Sequence, residues 1–127
     1  MVKPLKVLIA DDEALLRLDL REMLEEAGHT VIGEAENGKV AVRTAKQKRP
    51  DLVIMDIKMP EMDGLEAAKV IRAMDREDAK SVPIIALTAN AFDEDVQRSM
   101  QAGLNAHLSK PVEPDTLFEI LESLIRE

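Results

Sequence analysis

Short β-branched apolar runs alternate along this chain with longer stretches of helical period. Such alternation predicts βα units winding a parallel sheet between two helical layers. Five strands are expected, over Lys6 to Ala10, Thr30 to Ala35, Leu52 to Met55, Ile84 to Leu87 and Asn105 to Leu108. The first, third and fourth are nearly all apolar, as interior parallel strands should be, while the second reads as an edge. Between them, Leu16, Leu20, Met23 and Ala27 fall at three- and four-residue spacings, as do Val40, Ala41, Thr44 and Ala45, then Leu65, Ala68 and Ile71, then Val96 and Met100. A fifth helix follows from Leu117, Leu121 and Leu124 with Phe118 and Ile125. Gly28 and Gly103 stand where helix C-caps belong, Asn37-Gly38 is a turn signal, and Pro50 and Pro83 precede strands. The expected fold is a doubly wound α/β domain, a five-stranded parallel sheet of order 2-1-3-4-5 flanked by five helices, with residues 1–127 as one domain and no output domain.

Composition narrows the function. The 127 residues carry a formal net charge of −8, 46% hydrophobic and 33% charged residues, and no cysteine. An acidic chain without clustered Lys and Arg is a poor match for a nucleic-acid backbone. No apolar run is long enough for a membrane span, and the stretch Val7 to Ala10 ends too early for a signal peptide, so a cytoplasmic protein is expected. Without cysteine, and with His29 and His107 far apart in sequence, a metal must be held by oxygen.

In open parallel sheets ligands bind beyond the carboxyl ends of the strands. Here the first strand ends in Asp11-Asp12-Glu13, the third in Asp56, the fourth in Thr88 and the fifth in Ser109-Lys110-Pro111. Carboxylates gathered on one rim repel by about 1 kcal/mol per pair in water and about 4 at an effective dielectric of 20, so a counter-cation is expected. Mg²⁺ suits an oxygen-only site that also takes a phosphate. Lys110 supplies a positive charge for phosphoryl oxygens and Thr88 a hydroxyl donor. These parts suit phosphoryl transfer, with Asp56, directly after the central strand, as the nucleophile.

The set Asp11-Asp12, then Asp56 within Met55-Asp-Ile-Lys-Met-Pro-Glu-Met-Asp-Gly64, then Leu87-Thr88-Ala89, then Ser109-Lys110-Pro111 resembles the receiver domain of two-component signalling over nearly the whole chain. The resemblance implies that Asp56 is the phosphoacceptor and that Asp12, Asp56 and the Lys58 backbone carbonyl bind Mg²⁺ directly, with Asp11 acting through metal-bound water. It further implies that Thr88 and Lys110 hold the phosphoryl group and that Pro111 follows a cis peptide bond. The donor would be a phosphohistidine on a histidine kinase or phosphotransfer protein. The signal would leave through the fourth helix, fifth strand and fifth helix to a downstream protein partner, with no separate substrate turned over. His107 stands where the family often has an aromatic switch residue, and Lys58 and Asn90 stand where it tunes phosphoryl lifetime. Val7 to about Met59 resembles receivers of antitermination regulators and Val82 to Leu121 resembles those of hybrid kinases, a texture that would suit a chimera or a design.

Simpler readings stand beside these. A double acid after a strand is commonly a helix N-cap, and Asp12 could cap the first helix. Thr88 could be a turn hydroxyl, Lys110 a solvated lysine, and His107 a half-buried strand residue. Three rival functions are weaker. A Mg²⁺-dependent phosphatase of haloacid-dehalogenase type needs a second acid two residues after its nucleophile, where Lys58 stands. A flavin carrier needs a phosphate loop that Asp11-Asp12-Glu13 would repel. A non-phosphorylated scaffold has no use for the acidic set.

Overall fold

The computed structural model describes residues 3–89 and 102–125. Five parallel strands form one sheet of order β2-β1-β3-β4-β5: β1 Lys6–Ala10, β2 Thr30–Ala35, β3 Leu52–Asp56, β4 Ile84–Thr88 and β5 Ala106–Ser109. The order, the parallel sense and the edge position of β2 are those expected from the sequence. β3 and β4 each run one residue further than expected, so that Asp56 and Thr88 are the last strand residues. The helices are α1 Ala14–Glu26, α2 Gly38–Lys48, α3 Gly64–Arg72, α4 Glu77–Ser81 and α5 Pro114–Leu124. The short α4 was not expected, because five residues carry too little periodicity to register. The helix expected around Val96 and Met100 lies outside the described residues.

Strand alternation sorts the core into two layers. Leu8, Ala10, Val53, Met55, Ile84 and Ala86 pack with Ala41, Ala45, Leu65, Ala68 and Ile71 of α2 and α3 on one face. Val7, Ile9, Leu52, Ile54, Ile85 and Leu87 pack with Leu20, Leu24, Leu117 and Leu121 of α1 and α5 on the other. Each fully buried Leu or Ile contributes about 1.5–3 kcal/mol relative to exposure, which is what commits these strands to the interior.

Local chemistry sets the element ends. Asn37 caps α2 through its side chain, which accepts from Val40 N–H, and Asp63 caps α3 by accepting from Glu66 N–H. Gly28, just past the end of α1, takes a φ of 95°, as the helix-stop reading required, and Gly103 takes a φ of 100°, the helix expected before it lying outside the described residues. α1 begins after Glu13, which makes no side-chain cap bond; Asp12 therefore does not cap it. No helix among the described residues is long and apolar enough to cross a membrane.

Candidate functional site

Because all five strands run the same way, their carboxyl ends share one rim. Asp11 follows β1 and is held in register by its own N–H, which donates to Ala35 O of the edge strand at 2.9 Å. Its side chain is fully buried, and Oδ1 accepts from Glu13 N–H at 2.7 Å. Asp56 closes β3, where Oδ1 accepts from Lys58 N–H at 3.1 Å. Lys110 follows β5, and its Nζ reaches Asp56 Oδ2 at 2.9 Å, Asp11 Oδ2 at 3.0 Å and Glu13 Oε1 at 3.5 Å. The Lys110–Pro111 peptide is cis, as expected.

Carboxylate oxygens of Asp11, Asp12 and Asp56 lie within 4.8 Å of one another, with Asp12 the exposed member. Beside them a cavity of about 280 Å³ is lined by Asp12, Glu13, Asp56, Lys58, Thr88 and Lys110, among others. Most residues singled out from the sequence therefore meet at one place. His107 does not: it is half-buried in β5 opposite Ala86 and does not line the cavity. Asn90 lies outside the described residues.

The electrostatics follow from burial and charge. Burial pushes the Asp56 carboxyl above its ordinary pKa; the Lys110 ammonium and the Lys58 N–H oppose that rise, and the Asp11 charge adds to it. Burial works to lower the Lys110 pKa, but its bonds to Asp56 and Asp11 outweigh burial and hold it above the ordinary lysine value. Lys110 is thus an ammonium at neutral pH, standing where an anionic phosphoryl group would need a positive partner.

Two buried atoms at this rim have no aligned hydrogen-bond partner among the described residues: Thr88 Oγ1 and Asp11 Oδ2, the latter with only the Lys110 ammonium beside it. Buried polar atoms are rarely left so. An unused hydroxyl and an under-bonded carboxylate, with two further carboxylates at hand, fit a hard cation and an anionic group arriving together.

Two contributors escaped the sequence reading. Glu13 was visible as a third consecutive acid, but nothing in its spacing foretold its reach to Lys110. Gly64 packs so closely on the Asp56 backbone that a Cβ there would overlap Asp56 O and come within 3.0 Å of Asp56 C, and its N–H donates to Ile57 O at 2.8 Å. The signal for it was a glycine directly after the helix-capping Asp63.

A doubly wound α/β domain with an acidic cluster, a lysine and a hydroxyl on its carboxyl rim is the class defined here. Residues 7–122 match the response regulator receiver domain family, and the chain belongs to that family, part of two-component signalling. It is 45% identical over 119 residues to the transcriptional regulatory protein PdtaR of Mycobacterium tuberculosis (strain H37Rv), covering 94% of this chain and 56% of that protein. The chain thus spans about half the length of that relative. With the chemotaxis protein CheY of Thermotoga maritima the identity is 39% over 119 residues, covering 94% of this chain and 96% of the relative. Among solved structures, the receiver domain of the sensor histidine kinase PA1611 from Pseudomonas aeruginosa PAO1, which has a magnesium ion coordinated in its active site cleft, superposes with a TM-score of 0.87. The two are 36% identical, and the match covers 98% of this chain and all of that one.

Proposed function

We propose that this chain is a phosphorylation-operated switch whose acceptor is Asp56. The observation that carries the reading is the convergence on one cavity of Asp56, the Lys110 ammonium and a Thr88 hydroxyl with no described partner. In the transfer step an Asp56 carboxylate oxygen attacks the phosphorus of a phosphohistidine on a histidine kinase or phosphotransfer protein. The P–N bond breaks, its electron pair stays on the imidazole, and the ring takes a proton from solvent. Lys110 then pairs with a phosphoryl oxygen and Thr88 donates its hydroxyl to another, offsetting charge that develops on those oxygens.

Mg²⁺ fits the donor set, with Asp12, Asp56 and the Lys58 backbone carbonyl as direct ligands and Asp11 acting through water. When bound, it supplies the positive charge that lets an anionic donor approach carboxylates. The phosphoryl group adds negative charge and acceptor oxygens at the rim. The response leaves through β5, α5 and the segment around Val96 and Met100, in the cytoplasm, to a protein partner that favours one state. Each tenfold preference corresponds to about 1.4 kcal/mol. His107, Lys58 and Asn90 tune the lifetime and read-out of that state.

The test is intact-mass spectrometry after incubation with a small acyl-phosphate donor. One phosphoryl group gained with Mg²⁺, and none with EDTA or in Asp56→Asn, is expected. Equal gain in Asp56→Asn would move the acceptor elsewhere, and no gain in a wild type that binds Mg²⁺ and donor would favour the scaffold.

A further inference from the structure

The loop from Ile57 to Asp63 borders the cation side of the site, and a second cavity there is lined by Asp12, Lys58, Met59, Pro60 and Asp63. Its near end is held by Gly64, as described above. Its far end is held by a different element. Gly38, the buried first residue of α2, donates its N–H to Met62 O at 2.8 Å. A Cβ on Gly38 would overlap Met62 O and lie 2.7 Å from Met62 C. Those are backbone atoms, so a methyl group there can be accommodated only by moving α2 or the loop.

Movement of α2 is opposed at its other end. Arg76 donates to Lys46 O at 2.7 Å and to Ala45 O at 3.2 Å, fastening the last turn of the helix to the α3–α4 side. The loop is the freer of the two. It contains Glu61 at φ 65°, a left-handed conformation uncommon for a residue with a side chain, and Met62 N–H turns back on Pro60 O at 2.7 Å.

We infer that Gly38 is a positioning residue for the cation site: by its close backbone approach to Met62 it fixes the loop that carries Lys58 and flanks Asp12, so that α2 sets the affinity for Mg²⁺. The inference rests on the metal-site reading above. It is separable from ordinary helix energetics, because alanine is the better helix former and would by itself favour α2. The backbone there is not in the left-handed region, so alanine is excluded by the neighbour and not by its own φ.

The test compares Gly38→Ala with Gly33→Ala, titrating each folded protein with Mg²⁺ alone by calorimetry. Gly33 in β2 is also crowded, its Cβ meeting the Thr44 side chain at 2.7 Å, but it is away from the site loop. Gly38→Ala is expected to weaken Mg²⁺ binding by about tenfold or more, the usual scale for groups that orient metal ligands. Gly33→Ala should lose thermal stability and keep the wild-type affinity within about twofold, the comparison that isolates orientation from stability.

Equal weakening in both variants, or wild-type affinity in a folded Gly38→Ala, would overturn the inference. Should Gly38→Ala fail to fold, amide exchange on the wild type decides: Mg²⁺ is expected to slow exchange of the Gly38 N–H, and an unchanged rate at saturating Mg²⁺ would contradict the coupling. A wild type that takes up no Mg²⁺ would overturn the metal-site reading and this inference with it, whereas binding that ignores Gly38 overturns the inference alone.

Discussion

The two ends of the sheet are built on opposite principles. Around the amino ends of the strands most polar groups are matched, Arg76 Nε being a buried atom with no hydrogen-bond partner among the described residues. Arg72 donates to Gly103 O, Ala79 O and Asn105 Oδ1, and the same Asn105 oxygen accepts from Ile84 N–H. His29 Nδ1 accepts from Leu5 N–H, and Asp51 Oδ2 accepts from Lys6 N–H. At the carboxyl ends, one lysine is shared among three carboxylates and a buried threonine hydroxyl has no described partner. The first end stabilises the fold by completing most of its hydrogen bonds. The second leaves capacity for ligands, and substitutions at the two ends should diverge accordingly.

The largest effect is expected from Lys110→Met. Removing the ammonium leaves Asp11 and Asp56 without their shared cation, and stability should fall by about 3 kcal/mol in metal-free buffer at neutral pH. Urea unfolding checks this. Mg²⁺ should restore more stability to this variant than it adds to the wild type, and acidification should restore part of the loss as Asp56 takes a proton.

Arg72→Ala should cost about 2–3 kcal/mol, since it removes charge-assisted donors from two main-chain oxygens in part-buried bonds and from Asn105 Oδ1 in an exposed one. Unlike Lys110→Met, it should leave the Mg²⁺ affinity within about twofold, because the positively charged group it removes is at the far end of the sheet. Affinity that falls with stability would erase the distinction between the rims.

His29 gives the amino end a pH signature. Burial lowers its pKa below the ordinary value near 6.5, and its Nδ1 serves as a hydrogen-bond acceptor only while unprotonated. Between the folded-state value and 6.5 the unfolded chain binds more protons, so this contribution is complete above 6.5 and declines as pH falls toward the folded-state value. His29→Ala should flatten that part of the stability–pH curve and cost about 1–2 kcal/mol at neutral pH, through the unpaired Leu5 N–H.

The smallest stability effect belongs to Thr88→Val. Its hydroxyl has no partner among the described residues to lose, so stability should change by less than about 1 kcal/mol, and in the favourable direction. Retention of the phosphoryl group, followed by mass after donor removal, should shorten clearly.

The carboxyl rim was far more legible in the sequence than the amino rim. Runs of four or five apolar residues mark β1, β3 and β4, and a polar residue that ends such a run must emerge at the rim, so Asp11, Asp56, Thr88 and Lys110 could be gathered by counting strands. Arg72 could not. Near the end of a helix it reads as a solvated charge, and its acceptors on Gly103 and Ala79 are main-chain atoms without a sequence signature. Gly38 was visible as half of a turn signal, yet its contact with Met62 depends on how α2 packs beside the loop. The alternative that Asp12 caps α1 was not decidable by residue type, because the acids at 11, 12 and 13 are equivalent in that respect; α1 begins after Glu13.

Thermal unfolding with Mg²⁺ and beryllofluoride, a mimic of the phosphoryl group, tests most directly whether the carboxyl rim keeps its polar capacity for a cation and a phosphoryl group. The wild type should gain markedly in stability when both are present and only slightly with either alone. Asp56→Asn should gain nothing from beryllofluoride, while Arg72→Ala, less stable at the outset, should gain as much as the wild type. A wild type indifferent to the pair, or an Asp56→Asn variant that responds equally, would contradict the account.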